Sequence, residues 1–315
     1  MDLPVPSAFN VDPILGACIA AAVGLVVWLM SRASPNNRGA QRWAALLAGG
    51  SLLAIAWLTP LATVAQHYLL TAHLMQITLV MAVVPPLLLL SLPRYPRVAL
   101  PRTLGVLLRA SIHPVTAVLA VNAAFFVWHL TGPYDAAITN AWLYSLEQVS
   151  LLVASIMFWW PIITPLSPPV RAMSAFGKLG YILLATIPQT FGGLIVALAH
   201  HPLYPAYGHA PRLFAMSVMT DQELAGVCIA LVSKISLFVA FFVIFLRALQ
   251  GTSAESDEGG GGGGRGPQRD SPRPVHPGAG ISPRWLDDIE AGRTVPEPAA
   301  APRVRVPAGS GSAPG

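Results

Sequence analysis

Acidic side chains are nearly absent from the first 250 residues: only Asp2, Asp12, Asp135, Glu147, Asp221 and Glu223 occur there, against twelve lysines and arginines. Over all 315 residues 10% are charged and 54% hydrophobic, proportions that exclude an ordinary soluble domain. The basic excess sits in short connections between apolar runs, so it forms no nucleic-acid footprint. Cysteine is scarce as well. Cys18 and Cys228 both lie inside apolar stretches, without a CxxC, a disulfide framework or zinc-ribbon spacing. The opening MDLPVPSAFNVD is acidic and lacks the basic n-region of a cleavable signal peptide, so the first apolar stretch is expected to be a retained helix. No nucleophile–base pair, phosphate loop or dinucleotide fingerprint appears, and a non-enzymatic role is expected.

What the chain has is length in its apolar runs. A helix needs about 20 apolar residues to cross a bilayer, and seven stretches approach or exceed that: 13–30, 43–63, 67–92, 114–130, 141–163, 178–199 and 218–246. They are too long for strands and do not alternate. The expected fold is therefore an all-α integral membrane protein with seven transmembrane helices. Arg32, Arg38 and Arg42 join the first two stretches, Arg94, Arg97, Arg102 and Arg109 the third and fourth, Arg171 and Lys178 the fifth and sixth, and Arg247 follows the seventh. The alternate connections are poor in cations. The positive-inside rule then puts the N-terminus outside and the C-terminus in the cytoplasm.

Two domains are expected: a transmembrane domain over 1–250 and a tail over 251–315. The tail is rich in Gly, Pro and Ala and cannot bury enough apolar surface to offset ordering entropy, so a disordered cytoplasmic segment is expected. The patch PRWLDDIEAG within it reads as an incidental apolar pair in a solvated tail, with a docking motif as the alternative. Pro85-Pro86 and Pro188 predict kinks whose freed carbonyls neighbouring helices must satisfy. Gly192-Gly193 predicts close helix approach.

On this threading His73, His129, Glu147 and Asp221 come to one depth near the outer surface. Ionisable groups in hydrocarbon are costly, by about 2.5–3.5 kcal/mol on insertion scales, and normally face an interior or a cavity. Imidazole suits copper and zinc, so the four residues form a candidate metal or proton site. Lys234, near the middle of the seventh stretch, is a separate deep charge that must find a partner, lose its proton or snorkel.

The segments AHLMQ, VVPPLLLLSLP, VWHLTGPYDAAI, SLEQVSLLVASIMFWWPI, HPLYPAYG and DQELAGV, in that order over residues 73–246, resemble the CtaG family of Caa-type cytochrome c oxidase assembly proteins. The resemblance implies a seven-helix protein of the bacterial cell (inner) membrane. It further implies oxidase subunits as partners and copper delivery or insertion on the outer face. It also implies two His pairs at i, i+4 spacing, of which this chain keeps only His73. Ile77 stands at the partner position, and Tyr144 and Gln148 at the second pair, with Glu147 between them. A copper site here would draw on His73, His129, Glu147 and Asp221. Two further readings stay open: a metal-free scaffold for oxidase subunits, and a small-molecule or ion transporter using Glu147 and Lys234.

Overall fold

The computed structural model describes residues 3–33, 39–93, 101–163 and 173–259, with side chains to residue 250. Arg38, Arg94, Arg97, Arg171, PRWLDDIEAG and the tail beyond residue 259 lie outside the described residues. Among the described residues there are helices and no strand. In order they are α1 (Pro13–Ser31), α2 (Ala40–Leu58), α3 (Pro60–His67), α4 (Leu70–Thr78), a π segment (Leu79–Val83), α5 (Val84–Ser91), α6 (Arg102–Ser111), α7 (Pro114–His129), α8 (Thr131–Thr139), α9 (Ala141–Ile163), α10 (Ala175–Leu198), α11 (Pro205–Gly208), α12 (Val218–Ala230), a 3-10 turn (Val232–Lys234) and α13 (Ile235–Gly259).

Among the described residues, five continuous stretches are long and apolar enough to cross a membrane: Pro13–Ser31, Leu70–Ser91, Ala141–Ile163, Ala175–Leu198 and Val218–Gln250. Two more qualify only as bent pairs, α2 with α3 at 45° and α6 with α7 at 68°. The chain is thus a multi-pass helical membrane protein with five to seven candidate spans among the described residues. Both bends have a local cause. Pro60 and Pro114 each begin a helix, and proline drives the residue before it out of the helical region. Thr59 and His113 are accordingly extended, with ψ of 175° and 134°. The apolar run 43–63 therefore breaks at Thr59. At its C-terminal end α13 continues to Gly259, past the expected end of the last apolar stretch at 246 and of the transmembrane domain at 250.

The Pro85-Pro86 pair produces more than a kink. Pro85 has no N–H to give the Met81 carbonyl and its ring would crowd that carbonyl. The helix widens to a π segment in which Val84 N–H reaches Leu79 O, and the indole Nε1–H of Trp159 on α9 donates to Met81 O at 3.0 Å. A neighbouring helix thus supplies the missing donor.

Lipid tails are as apolar as leucine, so packing and interhelical hydrogen bonds must hold such a bundle. The α4–π–α5 rod is its axis, 67% buried, whereas α1 is 17% buried and lies at the rim. The tightest approach is between α10 and α12. A Cβ on Gly193 would lie 2.7 Å from Ala230 N, and one on Gly226 would lie 2.4 Å from Ala197 N. Only glycine fits either position. Leu194, Ile195 and Leu198 on α10 and Phe238 and Phe242 on α13 are left on the outer surface, as a lipid-facing wall requires.

Candidate functional site

The N-terminus of α4 and the start of α12 are tied together by one carboxylate. Leu70 N–H donates to Asp221 Oδ2 at 2.8 Å and Thr71 N–H to Asp221 Oδ1 at 2.9 Å, while Thr71 Oγ1 returns a hydrogen bond to Asp221 O at 2.8 Å. The first turn of a helix leaves its N–H groups without intrahelical partners, and Asp221 satisfies two of them from another helix. Its neighbour Gln222 holds the loop after α10, accepting from Leu203 N–H at 2.7 Å and donating to His201 O at 3.2 Å.

One turn further into α4, His73 Nε2 meets Glu147 Oε1 of α9 at 3.2 Å, and both side chains have no solvent exposure. Tyr134 packs edge-on against the imidazole at 5.0 Å between ring centroids, and Tyr144 lies on another side at 6.1 Å. Below the pair, a polar ladder crosses the bundle. Tyr144 donates to Gln76 Oε1 at 2.8 Å, Gln76 Nε2–H to Ala56 O at 2.7 Å, and Trp57 Nε1–H to Gln148 Oε1 at 3.0 Å. Asp12, which caps α1, also accepts from Ser145 Oγ at 2.6 Å.

Three tyrosines roof the pair. Tyr134 of α8 donates to Tyr207 at 3.2 Å, Tyr207 donates in turn to Ala65 O, and Tyr204 donates to His129 O at 3.0 Å. Burial, the largest cause at each, pushes all three phenols well above their ordinary range, so they remain protonated donors. Tyr207 also anchors the following loop, since Arg212 donates to Tyr207 O and Gly208 O. That loop carries Phe214 and Ala215 at φ of 58° and 52°, and Phe214 is 85% exposed. Positive φ at a bulky residue is strained.

Of the four residues singled out from sequence, the fold joins His73 to Glu147. His129 lies beyond Tyr134, 6.3 Å from that ring, stacked on Phe125 and donating from Nδ1 to Phe125 O at 2.7 Å. That bond requires a proton on Nδ1, so in the neutral ring Nε2 carries the lone pair. Asp221 is drawn away into helix capping. Lys234 donates to Ser233 Oγ at 2.8 Å beside the 3-10 turn, and Glu147 pairs with His73 instead of with it. Among the described residues, no group of three His, Cys, Asp or Glu is close enough to hold a metal ion. Ile77, Tyr144 and Gln148 fill the positions of the implied metal clamps with packing and hydrogen bonds. Buried atoms nevertheless remain without a partner in and around the cluster, among them His73 Nδ1, His129 Nε2, Glu147 Oε2 and Gln148 Nε2.

The residues that sequence reasoning passed over are Tyr134, Tyr204, Tyr207, Trp57 and Phe214. The signal for the tyrosines lay in GPYD and HPLYPAYG, where phenols interrupt otherwise apolar segments. Nothing in sequence marked Phe214, whose interest lies in its backbone.

A family model described as cytochrome c oxidase caa3 assembly factor (Caa3_CtaG) matches residues 22–251, well over half of the chain. No curated protein and no solved structure matches.

Proposed function

The chain belongs to the Caa3_CtaG family of cytochrome c oxidase caa3 assembly factors, and from that membership we propose that it promotes oxidase assembly by protein contact, without a copper centre of its own. The observation that carries this reading is the loop after α11. The buried cluster fixes Tyr207, Tyr207 and Gly208 hold Arg212, and Arg212 steadies a strained turn that presents Phe214 to the outside. An exposed aromatic beside an arginine on a braced turn has the composition of a docking hot spot. In this reading the loop faces away from the cytoplasm of a bacterial inner membrane, as the loop charges imply, and meets an oxidase subunit there.

The donor set argues in the same direction. Cu(I) favours thiolate, thioether and imidazole ligands over carboxylate. Here Asp221 is committed to capping, Met75 points outward and Cys228 packs among apolar side chains. The test is to replace the chain's own gene copy by a Phe214→Ala variant. Haem-copper oxidase, read from reduced-minus-oxidised spectra of membranes, is expected to fall at least fivefold at an unchanged level of the variant protein. Unchanged oxidase content would refute the docking role of this loop.

One specific observation favours a second reading, transient handling of copper as cargo. His73 Nδ1, His129 Nε2 and Glu147 Oε2 are buried metal-ligating atoms without partners, and native proteins leave few such atoms unsatisfied. A Cu(I) titration separates the two readings.

A further inference from the structure

At the opposite end of the bundle from the His73–Glu147 pair, α5, α9, α10 and α13 enclose an open-sided cavity of about 620 Å³. Its walls are apolar, formed by Leu90, Trp159, Ile163, Val243 and Ile244 among others. Among the described residues, two cations line it. Lys178, half-buried in the first turn of α10, donates from Nζ to Ile162 O at 2.7 Å, and Arg247 on α13 is exposed. No carboxylate lines it among the described residues. Ser236, whose Oγ is buried and unpartnered, also lines it, eleven residues before Arg247. The cavity therefore follows α13 for roughly 16 Å at 1.5 Å per residue.

A ligand for this space needs a negative charge at one end and a long hydrocarbon body. Free phosphate would match the charge of the cations and leave the apolar walls bare. A zwitterionic lipid brings its own ammonium to compete with Lys178 and Arg247. We propose that the cavity binds one anionic phospholipid, its phosphate between Lys178 and Arg247 and an acyl chain laid along α13 toward Ser236. Basic pockets between helices on the cation-rich side of a membrane protein suit such headgroups. Bound there, the lipid bridges α10 and α13 and stabilises the fold by mass action.

The test uses the full chain, delipidated in mild detergent, then offered phosphatidylglycerol or phosphatidylcholine of identical acyl composition. Retained lipid is counted by native mass spectrometry and thermal stability is followed in parallel. One phosphatidylglycerol per chain is expected to be retained and to raise the melting temperature, with phosphatidylcholine doing neither. Lys178→Gln and Arg247→Gln are each expected to weaken retention about fivefold, the effect of one cation near a lipid surface. Ala240→Trp, which fills the cavity without changing charge, is expected to abolish retention. Arg247 is exposed, so its variant is expected to fold and keeps the test decisive. Equal retention of both lipids, wild-type retention by the Lys178→Gln/Arg247→Gln double variant, or equal stabilisation by inorganic phosphate alone would overturn the proposal.

Discussion

Asp221 and Glu147 were assigned to one candidate site from the sequence, yet they do different work. Asp221 reaches the N–H groups of Leu70 and Thr71 about 150 positions earlier in the chain. No spacing rule foretells a cap supplied by another helix, and so its assignment to a metal site looked natural. Asp221→Asn turns an amide donor toward one of the two N–H groups. It is expected to lose about 1–2 kcal/mol, seen as a lower melting temperature in detergent. Glu147→Gln keeps an acceptor for His73 and is expected to melt close to wild type. Glu147→Ala strands a fully buried imidazole and is expected to lose about 1–3 kcal/mol. Equal melting of the two Glu147 variants would show that the pair does not hold the fold. The roofing tyrosines give a pH signature. Their phenol pKa values are raised in the folded state, so their contribution is whole below the ordinary phenol value near about pH 10 and is lost as pH rises through the shifted values. A melting temperature that drops above that pH in wild type, and drops less in Tyr134→Phe, is the expected outcome.

Among the elements, proline was the most legible signal, and its consequences were only partly so. Pro85 announced a break in the axial rod. That the break is a π segment depends on Trp159, whose indole arrives from α9 to take the Met81 carbonyl. Trp159→Phe keeps the ring and removes the donor, and is expected to cost about 1 kcal/mol in thermal stability. Trp159→Phe melting with wild type would mean that the carbonyl finds another partner. Pro60 was equally visible, but hydropathy averaged over the bend at Thr59 and merged the run 43–63 across its break, whereas the stretch 114–130 was already begun at Pro114. Glycine behaved similarly. Gly193 was anticipated as a contact point, whereas Gly226, its counterpart on α12, sits in a segment read for its acids. Gly226→Leu would place side chain where Ala197 backbone already lies, and loss of monodisperse protein on gel filtration is the expected result.

At the level of the whole molecule, apolar run length and loop charge suffice to define a helical multi-pass protein, because both are one-dimensional properties of the chain. The site was legible in part for the same reason: depth along each helix follows from sequence, and depth placed His73 and Glu147 together. Rotation about each helix does not follow so directly, and rotation sends Met75 outward and His129 behind Tyr134. The outcome is a bundle in which the packing of Ile77 and the hydrogen bonds of Tyr144 and Gln148 occupy the positions where paired histidines were implied. The account accordingly makes the cluster a brace for the Phe214 loop and assigns it no copper. Titration of Cu(I) into the purified full chain against a competing chelator tests this most directly, with His73→Ala and His129→Ala beside wild type. The account predicts that none of the three competes with the chelator through a saturable site. A one-to-one site in wild type that weakens in both variants would contradict it and make the cluster a carrier of copper.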